Sequence, residues 1–502
     1  MRRFLTAAAA LTLSAFVGAP ALAQQELRIA LQDDPDTLDP ATNWSFVGRH
    51  VLQSLCDKIV DIDQKGTIVP MLATSWSWSE DGRELTLKLR EGVTFHDGER
   101  FDAEAVRYNL DRALNLKASR RRAEIDVIDK IEVADHQTVK LILKQPSVPL
   151  VAALADRAGM MISPKAAQAA GENFTRQPVC SGPYRFVEHR AQDRIVLEKF
   201  PGHWRASDYA FDRLIYRGMS DSNVRLQNLR AGQIDLIERL SATDYGTVQK
   251  DKGLQIVEVT GLGYYAVTFN FANGPDANPA VAQKRAVREA LDLAVDREAI
   301  NQVVFEGRFA PGNQPFPPDS IWYDKATPVR ARDLPAAREK LKQASAEGTE
   351  IELLVPTDPE RQQVAQMLQA MLSEIGIKVR VQSTELMSLL DRSKQGKFQA
   401  HLIGWSGRVD PDLNITPLLG CGASGNDGRY CNKDLDAVLA EARIIADPEA
   451  RRAKYRQAVG LLREDLPLVY LYHPRWIFAA NAKIAGLKAY PDGIIRLNGV
   501  KR

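Results

Sequence analysis

Residues 68–114 read IVPMLATSWSWSEDGRELTLKLREGVTFHDGERFDAEAVRYNLDRAL, and they hold the clearest succession of structural signals in the chain. Leucines alternate with polar residues over residues 85–89, which predicts a strand with one buried face. Pairs of an acidic residue and a glycine on both sides of it predict turns. Asp102 precedes a stripe of apolar residues at helical spacing, so its carboxylate is expected to cap a helix. The stretch therefore predicts a strand, turns and a capped helix.

A second signal of an α/β fold lies in the C-terminal half. Strand-like segments alternate there with helical ones, which is typical of a sheet covered by helices. The predicted succession is a strand over residues 350–355, a helix over 360–375, a strand over 377–382, a helix over 386–395 and a strand over 398–403. A further single helix is predicted over residues 281–294, just after Pro279.

The N-terminus has the features of a secretory signal peptide. Arg2 and Arg3 precede an apolar run over residues 4–17, and small residues end at Ala23. We therefore expect residues 1–23 to be removed by cleavage after Ala23 and the protein to be periplasmic. Gln24 stands where a lipoprotein would have cysteine. An uncleaved membrane anchor is the alternative.

The charge balance argues against polyanionic partners. The chain has 66 basic and 64 acidic residues, and removal of Arg2 and Arg3 with the signal peptide leaves 64 of each. A formally neutral surface does not favour nucleic acid or an anionic membrane as a partner. The remaining length is too great for one hydrophobic core, so two or three domains are expected.

Four cysteines are present, and export would place them in an oxidising compartment where even counts usually form disulfides. Cys421 and Cys431 flank a loop rich in Gly, Ser and Asn, so we predict that they pair. Cys56 and Cys180 are the other two. No metal site is predicted, because the cysteines do not form a CxxC pair and no histidine lies close to them in sequence.

No set of residues with catalytic spacing is apparent. Residues 404–407 read GWSG, in which the serine is one place short of a GxSxG elbow. His96 begins a tight turn, and the sequence has neither an HExxH zinc motif nor a glycine-rich phosphate loop. We expect a binding protein that needs no cofactor. A secreted hydrolase such as a peptidase is the alternative, and a nucleophile–base pair would distinguish it.

Residues 68–114 resemble the signature region of the family 5 extracytoplasmic solute-binding proteins, which include the oligopeptide-, dipeptide- and nickel-binding proteins of bacterial ABC importers. The resemblance extends to PDTLDP at residues 35–40, SGPY at 181–184, GWSG at 404–407 and DPD at 410–412. It implies a monomer that closes around a peptide or small molecule and delivers it to an inner-membrane ABC permease. A binder that serves only a receptor or acts as a chaperone is a further alternative.

The resemblance implies an α/β fold with three domains, namely a two-lobed periplasmic binding protein of type II (a Venus flytrap) with an inserted domain. Lobe one would comprise residues 24–45, 175–260 and 475–502, the inserted domain residues 46–174, and lobe two residues 261–474. This arrangement places Cys56 and Cys180 near the crossovers between lobe one and the inserted domain, so we predict that they pair. Closing so long a loop would stabilise the fold by about 4 kcal/mol.

Position relative to the family also implies the ligand contacts, which should lie on loops at strand ends. Those on the first side of the cleft are Asn43, Trp44 and, in a basic run, Arg121; those on the second are Tyr264, Asn270, Trp405, Ser406, Gly407, Arg408 and Asp410. The structural alternatives are a core position for Trp405 and a solvated charge run around Arg121.

The resemblance bears on the ligand as well. In the peptide binders an aspartate after the Gly-Trp strand end holds the amino terminus of the peptide, whereas Arg408 stands in its place here. A guanidinium repels an ammonium group and suits a carboxylate. We therefore expect a ligand with an anionic group that faces Arg408. Pairing of Arg408 with Asp410 or Asp412, with an ordinary peptide as ligand, is the alternative.

Overall fold

The computed structural model describes residues 25–502 as a mixed α/β protein. The predicted signal peptide lies outside the described residues. The strands in chain order are β1 Glu26–Leu31, β2 Val60–Ile62, β3 Ile68–Pro70, β4 Ala73–Trp78, β5 Glu84–Leu89, β6 Ile128–Asp135, β7 Thr138–Leu143, β8 Tyr184–Arg190, β9 Arg194–Lys199, β10 Arg213–Gly218, β11 Leu236–Ile237, β12 Leu254–Thr260, β13 Tyr264–Phe269, β14 Ala310–Pro311, β15 Glu350–Pro356, β16 Lys378–Thr384, β17 Ala400–Trp405, β18 Leu468–His473 and β19 Arg475–Asn481.

The helices connect and cover these strands. In chain order they are α1 Phe46–Leu55, α2 Ala103–Asn115, α3 Arg122–Ile125, α4 Pro149–Ala153, α5 Pro164–Ala170, α6 Ser222–Arg230, α7 Tyr245–Gln249, α8 Pro279–Gln283, α9 Arg285–Ala294, α10 Arg297–Phe305, α11 Leu334–Gln343, α12 Pro359–Ser373, α13 Leu386–Lys394, α14 Thr416–Leu419, α15 Lys433–Ile444 and α16 Pro448–Asp465. No helix within residues 25–502 is long and apolar enough to cross a bilayer.

The first large sheet combines strands from the beginning, middle and end of the chain. Its order is β12-β19-β11-β1-β10-β9-β8, with β1 parallel to both of its neighbours. Apolar residues of β1 such as Leu27 pack in one core with Val51 and Leu55 of α1. Helix α1 thus packs with this sheet, and so do Met160 and Phe174 from the segment predicted as the inserted domain. The domain boundaries stay a prediction.

The second large sheet has the order β14-β18-β13-β17-β15-β16. The alternation predicted over residues 350–403 is confirmed as β15, α12, β16, α13 and β17. One face of this sheet packs on α9 and α12, through residues such as Leu291 and Leu368. The single helix predicted over residues 281–294 is wrong, because the backbone is extended at Lys284, between α8 and α9.

Residues 68–114 contain strand β5, the turns around it and the capped helix α2, as predicted. A four-stranded antiparallel sheet has the order β4-β5-β7-β6, and the three leucines of β5 are buried beneath α2. Asp102 caps α2, because its carboxylate accepts the backbone N–H of Ala105 at 3.0 Å. These local signals were sufficient to predict the strand, the turn and the helix.

The chain crosses between the two large sheets between β12 and β13 and again between β18 and β19. The crossovers lie side by side, since Gly261 N–H donates to the Pro474 carbonyl at 2.9 Å. Gly263 is required here, because a Cβ atom on it would lie 1.7 Å from the carbonyl oxygen of Trp405. Two adjacent crossovers are the arrangement expected of a hinge between lobes.

Both predicted disulfides are present. Cys421 pairs with Cys431, which closes a loop of the second lobe. Cys56, which follows α1, pairs with Cys180, and this bond links positions 124 residues apart. The Cys56–Cys180 bond therefore links the segment that enters the predicted inserted domain to the segment that leaves it.

Candidate ligand-binding cleft

A cavity of about 160 Å³ lies where the first lobe and the inserted domain face the second lobe. Its walls are mainly aromatic and aliphatic, with a small number of charged groups between them. The apolar lining includes Trp44, Phe46, Val47 and Trp476 on the first side and Tyr264, Tyr265, Phe269, Ile403, Trp405, Leu418, Leu419 and Tyr430 on the second. Apolar walls with a few convergent polar groups are typical of a small-solute site.

Two tryptophans face each other across the cleft. The ring centroids of Trp44 and Trp405 lie 6.4 Å apart, with the planes tilted by 44°. The backbone N–H of Trp44 donates to Asp36 Oδ2 at 2.7 Å, so the opening loop at residues 35–40 fixes its position. Trp405 Nε1 donates to Asn414 Oδ1 at 2.9 Å. Polar contacts thus fix the backbone of Trp44 and the ring of Trp405, and the two rings form opposite walls of the cavity.

Four arginines line the cavity: Arg49, Arg157, Arg239 and Arg361. Two of them have carboxylates of their own. Arg239 pairs with Glu238 at 2.9 Å and donates to the hydroxyl of Tyr265 at 2.8 Å. Arg361 pairs with Asp358 in the first turn of α12. These two charges are neutralised within the protein.

The other two lining arginines share a carboxylate with a third. Asp156 Oδ2 lies 2.7 Å from Arg408 Nε and 2.8 Å from Arg49 Nη2, and Asp156 Oδ1 lies 3.4 Å from Arg157 Nε. We refer to Arg49, Arg157 and Arg408 around Asp156 as the arginine cluster. All four side chains are almost fully buried. Since Asp156 belongs to the inserted domain and Arg408 to the second lobe, the cluster joins the two sides of the cleft.

The electrostatics of the arginine cluster favour anions. Burial alone would raise the pKa of Asp156, but Arg408, Arg49 and Arg157 together lower it well below its ordinary range. Burial, followed by repulsion from Arg121, lowers the pKa of Arg157 well below its usual value. A guanidinium whose pKa is lowered lies in surroundings that disfavour its charge, and a further anion would relieve that penalty.

Three buried polar atoms of cavity-lining residues have no hydrogen-bond partner within residues 25–502. One is Nε of Arg157, which lies 3.4 Å from Asp156, and the two uncharged ones are the hydroxyl of Tyr264 and Nδ1 of His401. Burial lowers the pKa of His401 to about 4, so this ring is neutral at physiological pH. Buried polar groups are usually hydrogen-bonded, and exceptions mark sites where something else can bind. Both uncharged atoms are available to a ligand.

Four of the predicted contacts line the cavity. They are Trp44 on the first side and Tyr264, Trp405 and Ser406 on the second. Ser406 also connects the two sides, because its Oγ accepts a hydrogen bond from Arg49 Nη1 at 3.1 Å. The structure therefore brings together residues that are far apart in the sequence, and their role as ligand contacts stays a proposal.

Asn43, Arg121 and Gly407 lie outside the cavity lining, and their contact with the ligand stays a prediction. Asn43 is fully buried, and its Oδ1 accepts a hydrogen bond from Arg157 Nη1 at 2.7 Å, so it orients that guanidinium. Arg121 is also fully buried and donates to the carbonyl of Asn43 at 3.2 Å. Gly407 has φ +84°, and a Cβ atom on it would lie 2.4 Å from the carbonyl carbon of Leu262.

Asn270 and Asp410 each have partners within the second lobe. Asn270 Nδ2 donates to the carbonyl of Phe398 at 2.9 Å and braces the end of β13. Asp410 forms a two-pronged pair with Arg451, with N–O distances of 2.7 and 2.8 Å. Neither residue lines the cavity.

Arg408 is the sixth predicted contact that lies outside the cavity lining. It is buried outside the cavity lining and pairs with Asp156, whereas the sequence offered the ligand, Asp410 or Asp412 as partners. Its guanidinium also lies 4.6 Å from the ring centroid of Trp405. We therefore assign Arg408 to the contact between the lobes.

Sequence reasoning missed several residues at the cavity. Arg49 had a detectable signal, because it is a charge within the apolar helix α1. Asp427 lines the cavity from the loop between Cys421 and Cys431, which the sequence marked only as a closed loop. Asp156 and Arg157 had no signal, since nothing local distinguishes them from a surface pair. Within residues 25–502, no group of three or more His, Cys, Asp or Glu side chains is arranged to hold a metal ion.

Comparison with known proteins gives consistent matches. The profile of the bacterial extracellular solute-binding proteins, family 5 (middle), matches residues 67–426. The glutathione-binding protein GsiB of Pectobacterium atrosepticum is 30% identical over 504 residues, which cover 98% of this chain and 96% of that protein. Di/tripeptide-binding protein 1 of Pseudomonas aeruginosa is 29% identical, with 88% of each chain covered.

Solved structures have the same fold. The periplasmic binding protein AgaA of A. tumefaciens R10, in complex with agropinic acid, superposes with a TM-score of 0.86 at 27% identity and covers 95% of this chain and 98% of its own. DppA of Helicobacter pylori, in complex with the peptide STSA, superposes with a TM-score of 0.87 at 24% identity, covering 95% of this chain and 97% of its own. The fold is that of a two-lobed type II periplasmic binding protein.

Proposed function

The chain belongs to family 5 of the bacterial extracellular solute-binding proteins, and we propose that it captures a peptide-like solute with an anionic group for an ABC importer. The family consists of solute-binding components of transporters. The finer parts of this proposal are the class of ligand, its contacts and the way in which it is delivered.

The observation that carries the proposal is the arginine cluster at the cavity. Three guanidiniums share the carboxylate of Asp156, and the next carboxylate, that of Asp492, lies 3.7 Å from Arg49. Two of the three, Arg49 and Arg157, line the cavity. A carboxylate at this place would accept charge-assisted hydrogen bonds, which are about twice as strong as neutral ones. The aromatic walls formed by Trp44 and Trp405 would hold an apolar or peptide-like body next to it.

Similarity supports the same class of ligand. GsiB, the relative at 30% identity, is a glutathione-binding protein. Glutathione is a modified tripeptide with two carboxylates and one ammonium group, so it suits a cavity with excess positive charge. We therefore propose glutathione and related acidic peptides as the first candidates. An ordinary di- or oligopeptide is the second candidate, because another relative is a di/tripeptide-binding protein.

Capture would proceed by closure of the lobes. A solute that contacts Arg49 and Trp44 on one side and Tyr264 and Trp405 on the other is bound better by the closed form, so it shifts the population toward closure. The crossovers at residues 260–264 and 473–475 would act as the hinge. The closed monomer, free in the periplasm after cleavage behind Ala23, would then dock on the permease.

The test is calorimetry with the purified protein. Glutathione and its glycine amide, which lacks one carboxylate, are compared, with trialanine as the ordinary peptide. We expect glutathione to bind at least about tenfold more tightly than the amide, from the loss of one charge-assisted contact. Equal affinities for both would contradict an anion-selective site and favour an ordinary peptide binder. Chromatography of the recovered glutathione distinguishes binding from hydrolysis, since any product formed would contradict a pure binding role.

A further inference from the structure

One carboxylate, that of Asp427, stands among the residues that line the cavity. It is carried by the loop between α14 and α15, which the disulfide between Cys421 and Cys431 closes. None of the family resemblances noted for this chain involves this position. Its surroundings show whether it is a surface charge or part of a built site.

The loop holds Asp427 in a fixed place. The side chain of the preceding residue, Asn426, donates to the carbonyls of Gly420 and Tyr430 at 2.9 and 2.6 Å. Asn273 Nδ2 donates to the backbone carbonyl of Asp427 at 2.8 Å. The next residue is glycine by necessity, because a Cβ atom on Gly428 would lie 2.3 Å from the carbonyl oxygen of Phe269 in β13.

The carboxylate itself is unpaired, since it forms neither a hydrogen bond nor an ion pair with any residue between 25 and 502. Arg120, Arg429 and Lys394 are close enough to affect it, but none of them makes an ion pair with it. Burial outweighs their attraction and raises the pKa of Asp427 to about 6. Asp427 is half-buried, and a carboxylate that is partly withdrawn from water without a cation is costly, so a partner with positive charge would stabilise it.

Asp427 and the arginine cluster lie toward opposite ends of the cavity. Along β13, Tyr264 pairs with Trp405 beside the cluster, and Phe269 lies beside the Asp427 loop. Five residues of strand separate these ends, which is on the order of 17 Å. Asp427 at one end and Arg49 and Arg157 at the other line the cavity, so their side chains shorten the distance that a ligand has to span. An extended tripeptide about 10 Å long can then bridge the two ends.

We propose that Asp427 anchors an ammonium group of the ligand while Arg49 and Arg157 hold its anionic end. The ligand is then a zwitterion of tripeptide length, with its charges at opposite ends. This assignment rests on the proposed function and makes it more specific. It also accounts for Arg408, which stands where the peptide binders have their acidic anchor. The acidic anchor for the amine would here be on the disulfide-closed loop, and Arg408, after β17, would serve the contact between the lobes.

The test combines one variant with one ligand modification. Calorimetry compares glutathione with N-acetylglutathione, in which the ammonium group is removed, on the wild type and on Asp427→Asn. Asp276→Asn is the matched control, because Asp276 is an exposed aspartate of the same lobe outside the cavity. Circular dichroism and thermal unfolding confirm that each variant is folded.

We expect Asp427→Asn to weaken glutathione binding about tenfold or more, and acetylation to weaken binding to the wild type by a similar factor. Acetylation should have no further effect in Asp427→Asn, because both changes remove the same contact. An acetylation penalty that is equal in wild type and variant would overturn the assignment while leaving the proposed function in place. If the wild type binds neither probe, nor the trialanine used above, the proposed function fails and the assignment fails with it.

Discussion

The ion pair between Asp156 and Arg408 makes a quantitative prediction about lobe closure. It joins the inserted domain to the second lobe at 2.7 Å, with both side chains 6% exposed. Two charges about 4 Å apart at an effective dielectric of about 20 attract by about 4 kcal/mol. Solvation of both groups in the open form offsets part of this, so we expect the ion pair to contribute about 1.5–3 kcal/mol net.

The perturbation is Arg408→Ala. It removes the contact between the lobes but leaves Asp156 paired with Arg49 at 2.8 Å, so the inserted domain is not left with an isolated buried charge. We expect the equilibrium between the closed and open forms of the unliganded protein to shift toward the open form by about 10- to 150-fold. The affinity should fall for neutral and anionic ligands alike, and by a larger factor for an anionic ligand, because its effect on closure depends on Arg408.

The assay is single-molecule fluorescence transfer between dyes on the two lobes, supported by small-angle X-ray scattering. Arg451→Ala is the control, because its pair with Asp410 is equally buried but lies within the second lobe. The control should lower the unfolding temperature without changing the lobe distance. The reasoning is refuted if Arg408→Ala has the same distance distribution as the wild type. A loss of affinity confined to anionic ligands would instead place Arg408 in direct contact with the ligand.

Two further predictions concern the disulfide loop and pH. Loop entropy gives about 5 kcal/mol for the 124-residue separation of Cys56–Cys180 and about 3 kcal/mol for the 10-residue separation of Cys421–Cys431. Thermal unfolding should therefore show the larger loss of stability for Cys56→Ser/Cys180→Ser. Calorimetry should show the larger loss of glutathione affinity for Cys421→Ser/Cys431→Ser. The reverse order of affinities would contradict the role of the loop between Cys421 and Cys431. Burial raises the pKa of Asp427 to about 6, although Arg120, Arg429 and Lys394 act to lower it. Because the ionised carboxylate is the form that binds ammonium, glutathione affinity should fall as the pH drops below 6. Calorimetry at about pH 5 and about pH 7.5 should show this fall in the wild type and lose it in Asp427→Asn, while His401, with its pKa lowered to about 4, stays neutral at both values.

Features that depend on neighbours in the sequence could be predicted. The cap at Asp102 and the alternation of β15 to β17 follow from side-chain chemistry within a few residues. The Cys421–Cys431 bond follows from a short flexible loop, and the Cys56–Cys180 bond from the domain order that the family resemblance implies. Such signals are local, or they rest on topology, and they do not require knowledge of side-chain positions.

The break between α8 and α9 shows where local reasoning fails. The pattern over residues 281–294 is helical throughout, but the backbone leaves the helix at Lys284. Arg288 makes this possible, because its Nη1 donates to the carbonyls of Val281 and Ala282 at 2.8 and 3.0 Å. Carbonyls that the break would leave unsatisfied thus receive partners from one side chain. Nothing in the helical periodicity reveals that Arg288 points backward along the chain.

The site was predicted in part for a related reason. Trp44, Trp405, Tyr264 and Ser406 lie at strand ends or loops, and such positions indicate a cleft. The arginine that the sequence singled out, Arg408, has the charge expected but a different partner. That partner, Asp156, belongs to the other side of the cleft, so only the closed arrangement of the lobes reveals the pair.

The arginine cluster couples the charge of the ligand to the closure of the lobes. Arg49 lines the cavity, contacts Asp156 and donates to Ser406 across the cleft. In the closed form the three guanidiniums repel one another, opposed by Asp156 and the more distant Asp492, and this repulsion limits how far closure is favoured. An anion at Arg49 and Arg157 would reduce that repulsion only when Arg408 is also in place, which occurs when the lobes are closed. An anionic ligand would thus stabilise the closed form beyond its own contacts, whereas a neutral ligand of the same shape would not.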